Sequence, residues 1–343
     1  MTAIIGWDIG GAHVKAARAQ DGRLTGIVQI ACAPHEGLAS LERAIRDARE
    51  RLGPAERHRV TMTAELSDAF ENRAKGVLAV AAIAAREIGA DDILFYAGAR
   101  GFVARAEAAD AALAIASANW RVSAELAAQN CAEALFLDMG STTTDLIPIR
   151  DGRIVAHGAS DAERLACGEL VYAGFARGAP QAYAARAPIN GQWIPLVNEA
   201  FATMADVRRA LGDLPEGEGG ADLSPTADGR PKTIAASRAR LARLAGRDAG
   251  ALSDDQWRAF ADFLARAQLR VIEDQIALLF SRGAVASDAA LIGAGVGRKL
   301  IARLAQAQGR VFIDFADFIA AEPQVKEKAA DCAPATALAL LAA

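Results

Sequence analysis

The stretch WDIGGAHVKAARAQDGRL at residues 7–24 recurs as LDMGSTTTDLIPIRDGRI at residues 137–154. Aligned without a gap, Asp8 falls on Asp138 and Gly10 on Gly140, an offset of 138 − 8 = 130 residues. The Asp21-Gly22-Arg23 turn falls on Asp151-Gly152-Arg153. Each copy reads as an apolar strand ending in Asp, a short Gly/Ser/Thr turn, a second strand, and an Asp-Gly hairpin into a third. A glycine at the tip of such a turn lets backbone N–H groups approach an anion, because no Cβ intervenes. An Asp at the strand end can hold Mg²⁺, usually through water. Two such turns facing each other would clamp a phosphate chain and its metal. Unrelated hairpins would not be expected to keep Asp, Gly and Asp-Gly-Arg in one register.

The copies differ in what they offer an anion. The first turn is Gly10, Gly11, Ala12 and His13, followed by Lys15 as a compact cation for phosphate oxygens. The second has Gly140 and Ser141, then Thr142, Thr143 and Thr144, whose hydroxyls can donate to phosphate. The same threonines also suit a plain β-strand. Asp145 stands where Lys15 stands in the first copy, a carboxylate in place of a cation. A third element, Gly293-Ala294-Gly295-Val296-Gly297, sits between a strand and a helix. It reads either as a packing turn or as an anion loop at a helix start. It is not the dinucleotide fingerprint, since Arg298 stands where that pattern needs Gly or Ala. Walker A is absent, because Gly-Lys occurs nowhere in the chain.

Composition narrows the class. A chain of 343 residues can hold two domains with full cores. It is 52% hydrophobic and 23% charged, as an ordinary soluble globule is. A net charge of −4 argues against nucleic-acid partners and polybasic membrane binding. Asp8 interrupts the only apolar start, so no signal peptide is expected, and the longest apolar run, Val77 to Ala85, is too short to span a bilayer. The cysteines at 32, 131, 167 and 332 have no zinc or redox spacing, which predicts reduced thiols in a cytoplasmic protein. The four histidines offer no paired-ligand spacing either.

Along the chain, strands are expected at Ala3–Asp8, His13–Gln20, Leu24–Cys32, Arg59–Thr63 and Ile93–Tyr96, with an amphipathic helix over Glu36–Leu52. Ser67 or Asp68 reads as the cap of a helix running to about Glu87, and one helix is expected from about Arg105 to Asn130. The second half repeats the strands from Ala134. It is then interrupted from about 170 to 233 by Gly, Pro and isolated aromatics, read as an irregular insertion that carries specificity. Strand Ala289–Ile292, a helix to about Ala307 and strand Arg310–Ile313 follow, with a final apolar helix that needs cover. Strands followed by strand–helix alternation, twice over, give two α/β domains with a cleft between them. The boundaries are residues 1–131 and 132–330, with 331–343 packing back on the first domain.

Two phosphate hairpins and a late glycine loop, in this order, resemble the sugar kinase, Hsp70 and actin superfamily over nearly the whole chain. Within it the sequence resembles the hydantoinase/oxoprolinase-like branch, and there the small members of tetrahydromethanopterin-linked one-carbon metabolism. The strings GWDIGGAHVK, MTAELSD, ANW, LDMGSTTTDLIPI, DAERLACGELVYAG, ATMADVRRALG and TADGRPKT carry the likeness. The resemblance implies a duplicated actin-like, ribonuclease H-like fold, two domains flanking a phosphate-binding cleft. It also implies the condensing step of methanofuran-type cofactor synthesis. There an (aminomethyl)furanylmethyl diphosphate and the phenol of γ-glutamyltyramine form an aryl ether and release diphosphate. In a methylotroph the product would be methylofuran, with tyrosine as the alternative phenol. Such a reaction needs no ATP, a departure from the superfamily's usual chemistry, and the hairpins would hold the diphosphate leaving group with Mg²⁺.

On that reading Asp8 and Asp138 hold the metal, and Lys15 and Ser141 to Thr144 bind diphosphate. Glu65, Asp145 and Asp228 are candidates for the phenol's base, in no set order. Gly293, Gly295 and Gly297 are further phosphate candidates. Asn119 and Trp120, with Arg230 and Lys232, are substrate-binding candidates, although a helix cap with a core residue and a solvated turn fit them as well. An ATP-dependent kinase or amidohydrolase of the same fold, and a nucleotide-regulated binding protein, are the other classes. Oligomerisation is compatible with all of them.

Overall fold

Both Asp-Gly pairs close two-residue hairpins. Asp21 and Gly22 have φ of 49° and 74°, and Asp151 and Gly152 have 52° and 67°. That is the left-handed backbone a type I′ turn requires, with a twist matching that of the flanking strands. The computed structural model describes residues 2–218 and 221–341. The expected first-domain start at Met1, the middle of the insertion at Gly219 and Gly220, and the end of the last helix at Ala342 and Ala343 lie outside the described residues.

The first hairpin opens a sheet built from β1 (Ala3–Ile9), β2 (His13–Gln20), β3 (Arg23–Ala31), β4 (Arg57–Met62), β5 (Asp92–Tyr96) and β6 (Phe102–Ala104). Helices α1 (Leu38–Leu52) and α2 (Arg73–Ile88) are the crossovers, and the strand order is β3-β2-β1-β4-β5-β6. β1 runs antiparallel to β2 and parallel to β4, so three meandering strands pass into a parallel crossover. After α3 (Ala112–Ile115) and α4 (Asn119–Asn130), the second hairpin repeats the plan. It uses β7 (Glu133–Met139), β8 (Thr144–Arg150), β9 (Arg153–Ile154), α5 (Asp161–Cys167) and β10 (Leu170–Val171). A separate hairpin, β11 (Arg186–Ile189) and β12 (Gln192–Pro195), precedes helices α6 (Met204–Leu211), α7 (Ile234–Leu244) and α8 (Asp254–Ser281). The chain closes with β13 (Ala290–Ala294), α9 (Arg298–Ala307), β14 (Phe312–Asp314), α10 (Pro323–Asp331) and α11 (Ala333–Leu341). The second sheet runs β10-β8-β7-β13-β14, with β9 also on β8. β9 and β10 together stand where β3 stands in the first sheet, and α5 interrupts them.

The duplication extends to the ladder. Asp8 faces Lys15 across β1 and β2, and Asp138 faces Asp145 across β7 and β8. The Gly10 amide donates to the His13 carbonyl at 2.9 Å, and the Gly140 amide to Thr143 at 2.9 Å. Every residue of β1 is buried, as a central strand covered on both faces requires. One cover is α11, which lies so close that a Cβ on Gly6 would stand 2.1 Å from the Ala335 carbonyl oxygen. Only a residue without a Cβ admits that approach.

Three local expectations are corrected. The helix expected from Arg105 to Asn130 is broken, because Ser117 takes φ 52° and Ala116 forms an isolated parallel bridge to Met62. The cap of α2 is Asn72, whose side chain accepts the Lys75 amide at 3.0 Å, not Ser67 or Asp68. The stretch 170–233 is more ordered than its composition suggested. It begins with a strand of the main sheet and holds the β11–β12 hairpin and α6, packed with α7 and α8 around Met204, Leu241, Trp257 and Phe260.

Candidate functional site

The two hairpin turns open on one cavity of about 410 Å³, within the usual range for small-molecule sites. Asp8, Gly10, Gly11, Ala12, His13 and Lys15 reach it from the first half. Asp138, Gly140, Ser141, Thr142, Thr143 and Asp145 reach it from the second. Both strand-end carboxylates are thus on one cleft. The second turn is pinned from behind by the segment after β10. The amide of Gly174 donates to Thr142, Phe175 to Gly140, and Ala176 and Arg177 to Ser141. Gly174 is required there, since a Cβ would stand 2.3 Å from the Thr142 carbonyl carbon.

Charge is concentrated and unevenly paired. Lys15 Nζ lies 4.0 Å from Asp8 Oδ2. Burial works against the lysine's charge, yet Asp8, Asp138 and Asp331 hold its pKa above the ordinary value. Burial also raises Asp8, opposed by Lys15, while Asp145 adds to the rise. Asp138 is pushed up to about 7, first by burial and then by Asp145. His13 is lowered to about 4 by burial with Lys15 and Arg177 nearby, so it is neutral at pH 7. Among the described residues, Asp8, Asp68, Asp138, Asp145 and Asp161 line the cavity against Lys15, Arg164 and Arg177.

That excess of carboxylate bears on the metal. Among the described residues no group of three His, Cys, Asp or Glu side chains could hold an ion alone. Asp8 Oδ1 is nonetheless buried without a hydrogen-bond partner. Asp8 and Asp138 would suit a Mg²⁺ ion, since Mg²⁺ keeps much of its water and takes few carboxylates.

Several residues of the site went unread in the sequence. Helix α5 brings Asp161 and Arg164 to the cavity. Arg164 is almost fully buried; it donates to Asp145 Oδ1 at 2.7 Å and to the Glu169 carbonyl at 2.9 Å, with Cζ 4.3 Å from the Trp120 ring centroid. Asp161 accepts from Arg73 of α2 at 2.9 Å, a bridge between helices of the two halves. Thr63, Leu66, Ser67, Ser117, Leu170, Tyr172 and Arg177 complete the walls, with Asn119 among them. The signal for α5 is its capping box, Ser160-Asp161-Ala162-Glu163, in which Ser160 and Glu163 satisfy each other's amides. Residues 161 and 164, three apart, then share one helix face.

Other candidates stand elsewhere. Thr144 is buried and spends its hydroxyl on the Ala173 carbonyl at 2.8 Å, so it is no free phosphate donor. Trp120 is buried beneath Arg164 and does not line the cavity. The glycine loop is a packing turn. A Cβ on Gly293 would meet Phe312 at 2.6 Å, one on Gly295 the Asp138 Oδ1 at 2.4 Å, and one on Gly297 the Met139 side chain at 2.4 Å. Its Arg298 pairs with Asp314, Glu327 and Asp331. Asp228 is bound by Arg240 at 2.9 Å, with Arg243 and Arg230 nearby, and its carboxyl is held below the ordinary range despite partial burial. Lys232 is buried on Glu218 and the Asp222 carbonyl. Asp228, Arg230 and Lys232 therefore knit the helical insertion together and do not line the cavity. Glu65 is buried behind Ser117, one layer from the cavity.

Two copies of a three-stranded meander with a parallel crossover, their hairpin turns facing one cleft, define a duplicated actin-like α/β protein. Within that class residues 57–311 match the hydantoinase/oxoprolinase family, and the chain belongs to it. It is 28% identical over 280 residues to the (4-{4-[2-(gamma-L-glutamylamino)ethyl]phenoxymethyl}furan-2-yl)methanamine synthase of Methanocaldococcus jannaschii, covering 81% of this chain and 82% of that one. It is 34% identical over 129 residues to the synthase of the same name from Methanococcus vannielii, covering 37% of this chain and 54% of the relative. Among solved structures, a nucleotide-free acetone carboxylase superposes with a TM-score of 0.52 at 12% identity, over 86% of this chain and 65% of that one. The last likeness concerns the fold alone. Among the described residues no helix is long and apolar enough to cross a membrane.

Proposed function

We propose that the protein is a transferase of methanofuran-type cofactor synthesis. It joins an (aminomethyl)furanylmethyl diphosphate to the phenol of γ-glutamyltyramine, or of a tyrosine counterpart, forming an aryl ether and releasing diphosphate. The names of the two relatives support the product class, since each describes a furan methanamine joined through a phenoxymethyl ether to a γ-glutamylamino chain. The observation that carries the reading is the cavity itself. Two anion-type turns with Lys15 line it together with an apolar wall of Leu66, Leu170 and Tyr172, so one space has room for a diphosphate and for aromatic rings.

On this reading Lys15, the amides of the Gly10-Gly11 and Gly140-Ser141 turns, and the hydroxyls of Ser141, Thr142 and Thr143 hold the diphosphate. They lower the energy of the charge that develops as it departs. Mg²⁺, when bound by Asp8 and Asp138, supplies further neutralisation of that charge. The electron-rich furan stabilises positive charge on its methylene, so the protein's main tasks are to activate the leaving group and to align the phenol. No residue in this set reads a base or a ribose, and ATP is not required. The test is incubation with Mg²⁺, the furan diphosphate and γ-glutamyltyramine in nucleotide-free buffer, with ether and diphosphate measured together. Ether formation without nucleotide is expected. Turnover that depends strictly on ATP, with ADP formed one for one, would return the protein to the kinase-like class.

A further inference from the structure

Ser117 and Glu65 form a hydroxyl–carboxylate pair whose front faces the cavity and whose back is closed. Ser117 is on the cavity wall, and its Oγ donates to Glu65 Oε1 at 2.9 Å. Glu65 is 2% exposed, and its second oxygen, Oε2, is buried with no partner. The residue is fixed from behind by α2. A Cβ on Gly76 would stand 2.7 Å from the Glu65 carbonyl oxygen and 2.9 Å from its Cβ. Ser117 holds φ 52°, a left-handed conformation that a serine adopts only when its surroundings enforce it. The break between α3 and α4 therefore sets Ser117 in the cavity wall with its hydroxyl on a buried carboxylate.

The other base candidates are engaged. Asp145 is bound by Arg164, and Asp228 lies in the helical insertion. Burial pushes Glu65 up to about 7, opposed by its hydrogen bonds with Ser117 and by Arg73 of α2. A phenol ionises near pH 10, roughly three units higher, so such a carboxyl is a competent base for it at neutral pH.

We propose that, in the ether-forming reaction put forward above and resting on it, Ser117 relays the acceptor's phenolic proton to Glu65. The phenol O–H bond breaks and its proton passes to Ser117 Oγ, while the Ser117 hydroxyl proton passes to Glu65 Oε1. The phenolic oxygen forms the new bond to the furanylmethyl carbon. The bond from that carbon to the diphosphate oxygen breaks, and its electron pair leaves with diphosphate. Glu65 acts through Ser117, so its contribution is separable from leaving-group binding at the turns.

The experiment compares wild type, Glu65→Gln, Ser117→Ala and Ser117→Gly with two acceptors, γ-glutamyltyramine and its tetrafluorophenol analogue, which is ionised at neutral pH. Ether and diphosphate are followed from about pH 5 to pH 9. Glu65→Gln is expected to be about 100-fold slower with the native phenol and to come within about tenfold of wild type with the ionised one at every pH compared. Ser117→Gly, which accommodates the left-handed backbone and lacks the hydroxymethyl group, and Ser117→Ala, which lacks only the hydroxyl, should both behave like Glu65→Gln. An equal deficit with both phenols, or none with either, overturns the relay and leaves the synthase reading standing. A folded wild-type protein that forms no ether overturns both.

Discussion

Replacing Glu65 by Gln should stabilise the protein above neutral pH. The carboxyl titrates near 7 in the folded chain against an ordinary 4.5, chiefly because burial disfavours its charge. Below about pH 4 it is protonated in both the folded and the unfolded chain and contributes no difference. Between 4.5 and 7 the unfolded chain releases the proton while the folded chain keeps it, so stability falls as pH rises through this window. The loss is complete above 7. The difference of 7 − 4.5 = 2.5 units corresponds to at most about 3 kcal/mol. Glutamine matches the protonated acid in shape and can still accept from Ser117. The variant lacks this contribution, while Asp138, also pushed up to about 7, titrates in both proteins, so the difference between the two stability curves reports Glu65. Urea unfolding followed by tryptophan fluorescence, at pH values from about 4 to 8, gives the two curves directly. They should coincide near pH 4 and separate by about 2–3 kcal/mol at pH 8. A difference that does not change with pH, or a variant less stable than wild type at pH 8, would refute a carboxyl whose charge burial disfavours.

Lys15→Ala should weaken inhibition by Mg²⁺-diphosphate and slow ether formation together, by about 30- to 150-fold for a buried charge-assisted contact of roughly 2–3 kcal/mol; a change in one without the other separates the lysine from the leaving group. The same inhibition should fade when Mg²⁺ is removed, because the lining carboxylates outnumber the cations, and titration calorimetry with and without EDTA checks this. Asp138→Asn should lose turnover much more than folding stability, and wild-type kcat at saturating Mg²⁺ would remove that carboxylate from the chemistry. Gly6→Ala should cost about 1–3 kcal/mol or more, since the added methyl meets the backbone of α11 rather than a side chain that can turn away; unfolding midpoints within a few tenths of wild type would contradict the packing.

The fold was legible where the signals were local and repeated. The Asp-Gly turns specify left-handed backbone, the apolar strands before them specify burial, and the ungapped offset fixes the duplication before any contact is known. The glycine loop was ambiguous for a physical reason. Gly293, Gly295 and Gly297 are demanded by Phe312, Asp138 and Met139, neighbours more than a dozen residues away in sequence, and a packing glycine and a phosphate glycine look alike in one dimension. The insertion misled because its elements are short. Yet Asn190-Gly191 marks the β11–β12 hairpin, with φ of 49° and 75°, and the Ser160 capping box marks α5. The turn at 228–232 also fits a solvated reading, whereas Lys232 is buried, and Asp206, Arg209, Asp222 and Arg240 near it are buried against one another. Composition does not reveal a partner, and a paired buried charge has the same letter as a solvated one.

The departures from symmetry are where the two halves acquire different tasks. At one ladder position the first half places Lys15 opposite Asp8, and the second places Asp145 opposite Asp138. A second lysine would have balanced the cleft, whereas a carboxylate adds to its negative charge and helps push Asp138 up to about 7. The second half compensates by splitting its third strand. The interruption between β9 and β10 lets α5 carry Arg164 onto Asp145, with Trp120 beneath the guanidinium, and Asp161 onto Arg73 of the first half. One short helix thus neutralises the extra carboxylate and ties the halves together at the cavity's edge. It leaves Asp8 and Asp138 as the acids at the two strand ends, facing the turns without an arginine. That division suits a site that binds an anion together with its cation, and it follows from where one copy of a duplicated strand is broken.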